Sequence, residues 1–231
     1  MRGSAASGAR GGSRSEAHEE DAIIGTGHGP TPAIDFDHPP ADPVPLFRQW
    51  FAEAQTLPTP NPNAMTLATV DADGWPSARI VLLRGFSLDG ARFFTNRNSR
   101  KGKALAANAR AALLFHWDLL DRQIRIEGRV SLVSDAESDA YFAQRPVDSR
   151  VNAWASDQSD PVGSRAELER RAEEVTKRFA GGTVPRPPHW GGYVVSLDRM
   201  EFWQGDKYRL HDRIEYARTR EGGWRVWRLC P

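Results

Sequence analysis

The chain has 231 residues, 39% hydrophobic and 26% charged, which suits one sizeable core in an ordinary soluble protein. Its 31 basic and 30 acidic side chains nearly cancel, so the overall field calls for neither nucleic acid nor an anionic membrane as partner. No run approaches the roughly 20 apolar residues of a membrane span, and the N-terminus lacks the apolar segment of a secretory signal. The one cysteine, Cys230, allows no internal disulfide, so a cytoplasmic location is expected.

Residues 1–40 are rich in Gly, Ala, Ser, Arg, Asp and Pro without apolar periodicity, and are expected to be a flexible tail ahead of one domain over 41–231. Order is predicted from Asp42-Pro43, an N-cap followed by proline at the first helical position. Leu46, Phe47, Trp50, Phe51 and Ala54 then recur at helical spacing. Beyond the Pro-rich link 58–62, strand-like runs are predicted at 64–70, 76–83, 91–95, 111–117 and 122–133, with a turn at 71–74. Residues 123–130 alternate polar and apolar, as a half-buried antiparallel strand does.

Capping boxes at Ser134–Glu137 and Ser164–Glu167 predict two helices. The second carries Leu168, Ala172, Val175 and Phe179 on one face and ends at Gly181-Gly182. Strands at 192–197 and 199–204 and a hairpin of 212–218 with 224–229 close the chain. Many short strands with interspersed helices and no βαβ alternation predict a mainly β, α+β fold: a small antiparallel barrel decorated by helices.

Charge placement points to anions. Arg100, Lys101 and Lys103 fall in the first turn of a short predicted helix, where they oppose its dipole; a bound phosphate would reverse the sign of that conflict. Arg79 and Arg84 bracket an apolar strand. Tyr141 and Arg145, one helical turn apart, with Ser149 beyond, could wrap a phosphate ester. In 201–213, Arg209, His211 and Arg213 would share one face of a hairpin of period two, near Trp203. His18, His28, His38, His116 and His189 show no metal-ligand spacing, and no metal site is expected. Serine-hydrolase, P-loop and Rossmann motifs are missing.

Taken in order, N-A-M-T-L-A-T-V (63–70), R-I-V-L-L (79–83), F-F-T-N (93–96), S-R-K-G (99–102), R-Q-I-R-I-E-G (122–128), R-P-x-D-S (145–149), A-W-A-S-x-Q-S (153–159), W-G-G-Y (190–193), E-F-W-Q-G (201–205), R-L-H-D-R (209–213) and the final R-L-x-P resemble the pyridoxamine 5′-phosphate oxidase family from about Asp42 to Pro231. The resemblance implies an FMN-binding split β-barrel with two sites at a homodimer interface. FMN contacts would fall on Arg79, Ile80, Val81, Leu82, Leu83, Arg84, Phe94, Thr95, Arg100, Lys101, Gln123, Gln158, Ser159, Trp203 and Arg213.

The substrate phosphate would be held by Arg84, Tyr141, Arg145 and Ser149, with Arg209, Leu210 and His211 covering the pyridine ring, and Arg209 and His211 nearest the chemistry. The implied reaction is oxidation of pyridoxamine or pyridoxine 5′-phosphate to pyridoxal 5′-phosphate by hydride transfer to FMN, with O₂ as final acceptor and H₂O₂ as product. The chain departs from the family pattern in Arg84 for lysine, Asn152 for glycine, and the lack of an R-x-x-Y-type segment in the tail. Two alternatives are a flavin oxidase of a phenazine-type intermediate and a flavin- or pyridoxal-phosphate-binding module without turnover. The presence of Tyr141, Arg145 and Ser149 favours the phosphate ester.

Overall fold

The computed structural model describes residues 34–231; the rest of the expected tail, 1–33, lies outside the described residues. Residues 34–40 lie against the body. Ile34 and Phe36 pack on the core, the Tyr216 hydroxyl donates to the Pro40 carbonyl at 3.0 Å, and Arg228 pairs with Asp37 at 3.1 Å. Two apolar side chains and two polar contacts hold this stretch, and the low-complexity composition around it hides them.

Helix α1 (Pro43–Gln55) starts as predicted, with the Asp42 carboxylate accepting the Val44 N–H at 3.0 Å. Its apolar stripe closes one face of a ten-stranded antiparallel sheet. Phe47 stacks on Phe86 at 3.7 Å and meets Phe115 edge-on, while Trp50 meets Phe202 edge-on at 5.4 Å. Such aromatic pairs add to area burial and fix the helix azimuth.

The strands are β1 (Ala64–Val70), β2 (Pro76–Leu82), β3 (Gly85–Ser87), β4 (Gly90–Asn96), β5 (Arg110–Trp117), β6 (Arg122–Leu132), β7 (Trp190–Val195), β8 (Arg199–Gln204), β9 (Asp212–Arg218) and β10 (Trp224–Arg228). Most lie within two residues of their predicted bounds, because period-two burial, clear in β1 and β6, marks them. The main path runs β10-β9-β8-β6-β5-β1-β2. β6 changes partners along its length: Arg122–Glu127 pair with β8, whereas Val130–Leu132 pair with β7. At the switch, a Cβ on Gly128 would lie 1.9 Å from the Ser196 carbonyl oxygen, so only glycine lets the two strands cross.

β7 pairs with β4 and β4 with β3, which continues directly from β2. The sheet thereby curls back on itself as a split antiparallel barrel decorated by helices. Helices α2 (Arg100–Ala107), α3 (Asp135–Ala143), α4 (Val147–Ala155) and α5 (Arg165–Arg178) lie between strands. Ser99, Ser134 and Ser164 cap α2, α3 and α5. The last ends as expected near Gly181, at φ +78°, but none of its side chains is fully buried. Among the described residues no helix is long and apolar enough to cross a membrane, and no cluster of metal-ligating side chains occurs.

Candidate active site

α2 begins where β4 ends. A Cβ on Gly102 would lie 2.0 Å from the Arg97 carbonyl oxygen, so α2 is pressed against the end of β4 and Lys101 turns back beside it. Its ammonium donates to Thr95 Oγ1 at 3.0 Å, Ser99 Oγ at 3.2 Å and Gln158 Oε1 at 2.9 Å, all neutral oxygens. Burial first, and Arg79 second, push its pKa down from 10.5 to about 8. Arg79 is held from β2 by the Leu67 carbonyl, Thr69 and Ser77, and burial and Arg100 lower its pKa too.

A second cationic group sits nearby. Burial lowers the pKa of Arg145, and Arg84 lowers it further. Arg145 Nη1 is buried with no hydrogen-bond partner, and Arg84 lies 5.9 Å from the Tyr141 ring centre. None of Arg79, Arg84, Arg100, Lys101 or Arg145 forms an ion pair with a carboxylate among the described residues; the nearby Lys103 does, with Asp160 at 3.9 Å. Like charges gathered without counterions form a ready anion site.

Both groups open on one cavity of about 500 Å³. Of the predicted residues, Ile80, Val81, Leu82, Arg84, Phe94, Thr95, Lys101, Tyr141, Arg145, Ser149 and Gln158 line it. Leu83 turns into the core, and its N–H donates to the Asn63 carbonyl, so the run 79–84 divides between wall and core. Arg79, exposed Arg100 and Ser159, at φ +81°, stay off the lining.

Tyr141, Arg145 and Ser149 do meet at the cavity, but not on a single helix. Tyr141 lies in the last turn of α3, Arg145 follows the helix, Pro146 breaks the path and Ser149 lies on α4. Sequence reasoning passed over α4, which has no side-chain cap, and also Asn96, Ala153, Ser156 and Trp190 of the lining. Asn152, noted only as a departure, lines the cavity as well.

The segment 203–213 is not brought to the cavity of its own chain; it lies beyond β6 in the strand order from β5, β1 and β2. Gln123 of β6 pairs in register with Trp203, and Trp203 with Arg213. Arg209 does not share a strand face with His211 and Arg213 as the period-two reading required. It sits in a 3₁₀ turn, Lys207–Arg209, where Tyr208 and Arg209 adopt φ +58° and +63°. Two consecutive non-glycine residues in that region hold strain of the kind kept at functional sites. Tyr208 is 92% and Leu210 68% exposed.

His211 packs on the Trp203 ring at 4.7 Å, and its Nδ1 accepts the Asp206 N–H at 3.1 Å. In the neutral imidazole the proton is therefore on Nε2. Arg213 donates Nε and Nη2 to buried Glu201 at 2.8 Å and Nη1 to the Cys230 carbonyl, so its fork is engaged in holding the strands together.

Residues 52–179 match the family described as pyridoxamine 5′-phosphate oxidase, and 190–231 match the pyridoxine 5′-phosphate oxidase C-terminal dimerisation region. The chain is 60% identical over 190 residues to the pyridoxine/pyridoxamine 5′-phosphate oxidase of Cupriavidus necator, covering 82% of this chain and 89% of that protein. With the protein of the same name from Bordetella petrii it shares 58% over 195 residues, covering 84% and 92%. Among solved structures, PhzG from Burkholderia lata in complex with tetrahydrophenazine-1-carboxylic acid matches with TM-score 0.80 at 32% identity, covering 89% of this chain and all of that one. A pyridoxamine 5′-phosphate oxidase-related, FMN-binding protein from Nostoc punctiforme shares the fold, with TM-score 0.65 at 18% identity over 83% of this chain and 98% of that one. Matched over both segments and in the order of its motifs, the chain belongs to the pyridoxamine 5′-phosphate oxidase family.

Proposed function

We propose that the protein is an FMN-dependent pyridoxal 5′-phosphate synthase, oxidising pyridoxamine or pyridoxine 5′-phosphate. The observation that carries this reading is one cavity lined by Lys101, with Arg79 and Arg100 close by but off the lining, and by Arg84 with Arg145, neither set paired with carboxylates among the described residues. A flavin and a substrate that each bring a phosphate match that count. The named relatives at about 60% identity support the same substrate over a phenazine-type one, since the PhzG likeness stands at 32%.

The residues fit FMN. A half-buried ammonium resting only on neutral oxygens gains most from a dianion, and the apolar wall Ile80, Val81 and Leu82 suits a flat ring. Arg79, Arg100, Lys101, Thr95, Gln158 and Ser159 would hold its phosphate end, with Arg84 and Phe94 alongside. When bound, FMN supplies the redox chemistry, taking a hydride from the substrate carbon and passing the electrons to O₂ to yield H₂O₂.

Arg84, Tyr141, Arg145 and Ser149 would then fix the substrate phosphate at the opposite end, so that binding energy orients the reacting carbon. Arg209, Leu210 and His211 would close over the pyridine ring from the other subunit of a homodimer, and Gln123, Trp203 and Arg213 would complete the flavin site. Support comes from the match of 190–231 to a dimerisation region and from the strained, exposed turn at 208–210. Arg209 would polarise and position the substrate, and His211, fixed as the Nε2–H tautomer, would orient its ring. A cytoplasmic location goes with this reading.

The test is anaerobic mixing of the FMN-loaded protein with pyridoxamine or pyridoxine 5′-phosphate, followed by H₂O₂ release in air. Bleaching of the oxidised-flavin absorbance and stoichiometric peroxide are expected. Flavin that stays oxidised with both compounds would sink the proposal.

A further inference from the structure

The sequence motifs leave Trp190 without a role, yet it stands behind the second cationic group. Arg145 lies 4.7 Å from the Trp190 ring centre and 5.4 Å from that of Phe142, while Trp190 itself is stacked with Phe94 at 5.5 Å and Tyr141 at 6.1 Å. Among the described residues no carboxylate holds Arg145 in place, and its Nη1 is buried without an acceptor. What fixes this guanidinium is therefore an aromatic surface rather than an ion pair.

Trp190 is in turn anchored. Arg186 donates Nη1 to the Trp190 carbonyl at 2.7 Å and ties α3 through Asp139 at 2.6 Å and Asp135 at 3.0 Å. The Trp190 backbone is thus tied to α3, the helix that carries Tyr141 and leads into Arg145. Carboxylates grip Arg186 outside the cavity, while inside it Arg145 is met by a neutral π face.

The difference has a chemical consequence. A carboxylate partner would neutralise Arg145 and compete with any incoming anion, whereas an indole face holds the cation and leaves its N–H groups and its charge available. Resting on the assignment of Arg145 to the substrate phosphate, we propose that Trp190 is a positioning residue: its indole face presets the Arg145 guanidinium for the phosphate and so sets the preference for phosphorylated over unphosphorylated substrate.

The test uses the full-length, FMN-loaded enzyme and the variants Trp190→Leu, Trp190→Phe, Arg145→Ala and the double variant. For Trp190→Leu, KM for pyridoxamine 5′-phosphate is expected to rise about 5- to 10-fold and competitive inhibition by inorganic phosphate to weaken by a similar factor, the range a partly desolvated cation–π contact allows. kcat should fall less than about twofold, flavin content should be kept, and Trp190→Phe should recover most of the KM. In the Arg145→Ala background the same substitution should change KM by less than about twofold, as expected when one residue acts through the other.

A similar rise in both backgrounds, or a loss confined to kcat, would overturn the proposal while leaving the phosphate assignment of Arg145 intact. An Arg145→Ala enzyme with unchanged KM and unchanged phosphate inhibition would instead remove that assignment, and the role of Trp190 with it. If Trp190→Leu does not fold, Trp190→Phe carries the same comparison: a smaller rise in KM that disappears in the Arg145→Ala background supports the proposal, and one that persists there refutes it.

Discussion

Replacing Lys101 by methionine keeps most of the side-chain length while removing the charge, and it probes the cation on which the flavin phosphate is proposed to rest. The free protein holds that ammonium at a pKa of about 8, against an ordinary 10.5, because burial and Arg79 penalise the charged form. A bound dianion favours the charged form and raises the value again. Full restoration would be worth about 3 kcal/mol at roughly 1.4 kcal/mol per pH unit. The cavity is partly open to solvent, and screening reduces this to about 1–2 kcal/mol, or about 5- to 30-fold in affinity.

The sign follows from linkage. Below pH 8 the lysine is charged both with and without ligand, and affinity is flat. Above pH 8 binding must take up a proton, so affinity falls with pH until the raised pKa of the complex is reached. Titrating apoprotein with FMN by flavin fluorescence between pH 7 and 9.5 should show this decline in the wild-type protein. Lys101→Met should bind about 5- to 30-fold more weakly at pH 7 and lose the decline. Equal pH profiles for the two proteins, or unaltered affinity at pH 7, would refute the placing of the flavin phosphate at Lys101.

Three further outcomes are expected. Arg209→Ala should lower kcat/KM by at least about 10-fold, or about 1.4 kcal/mol, in steady-state peroxide assays with FMN content unchanged; unaltered kinetics would remove its catalytic role. Gly102→Ala drives a methyl toward the Arg97 carbonyl oxygen, 2.0 Å from the ideal Cβ position, and should destabilise the fold by about 1–3 kcal/mol while weakening FMN binding as Lys101 shifts. Phe47→Ala empties a site that is 1% exposed between Phe86, Phe51 and Phe115, and should cost about 3–5 kcal/mol in denaturant unfolding. A loss below about 1 kcal/mol would mean that the barrel collapses around the gap.

Local signals decided what was legible. α1 was readable because Asp42-Pro43 and a stripe of aromatics state its start and its buried face within a dozen residues. β1 and β6 were readable because alternation survives wherever one face is buried. α4 was not, since Pro146 precedes it and no side chain caps it. The three-residue β3 is too short for a period to register, and the 3₁₀ turn at 207–209 depends on left-handed backbone that Tyr208 and Arg209 do not advertise.

The site divided in the same manner. The strand pattern, the caps, the family motifs and the surplus of local cations are each written in neighbouring residues and could be read from them. Which cations share a cavity is set by contacts between distant segments. Lys101 meets Gln158 from 57 positions away, Arg145 rests on Trp190, and Arg213 pairs with a buried Glu201. Those outcomes depend on strand register, on chain crossings that need Gly128, and on where carboxylates are absent. Desolvation and pairing are properties of the surroundings in space, so residue type and spacing do not carry them.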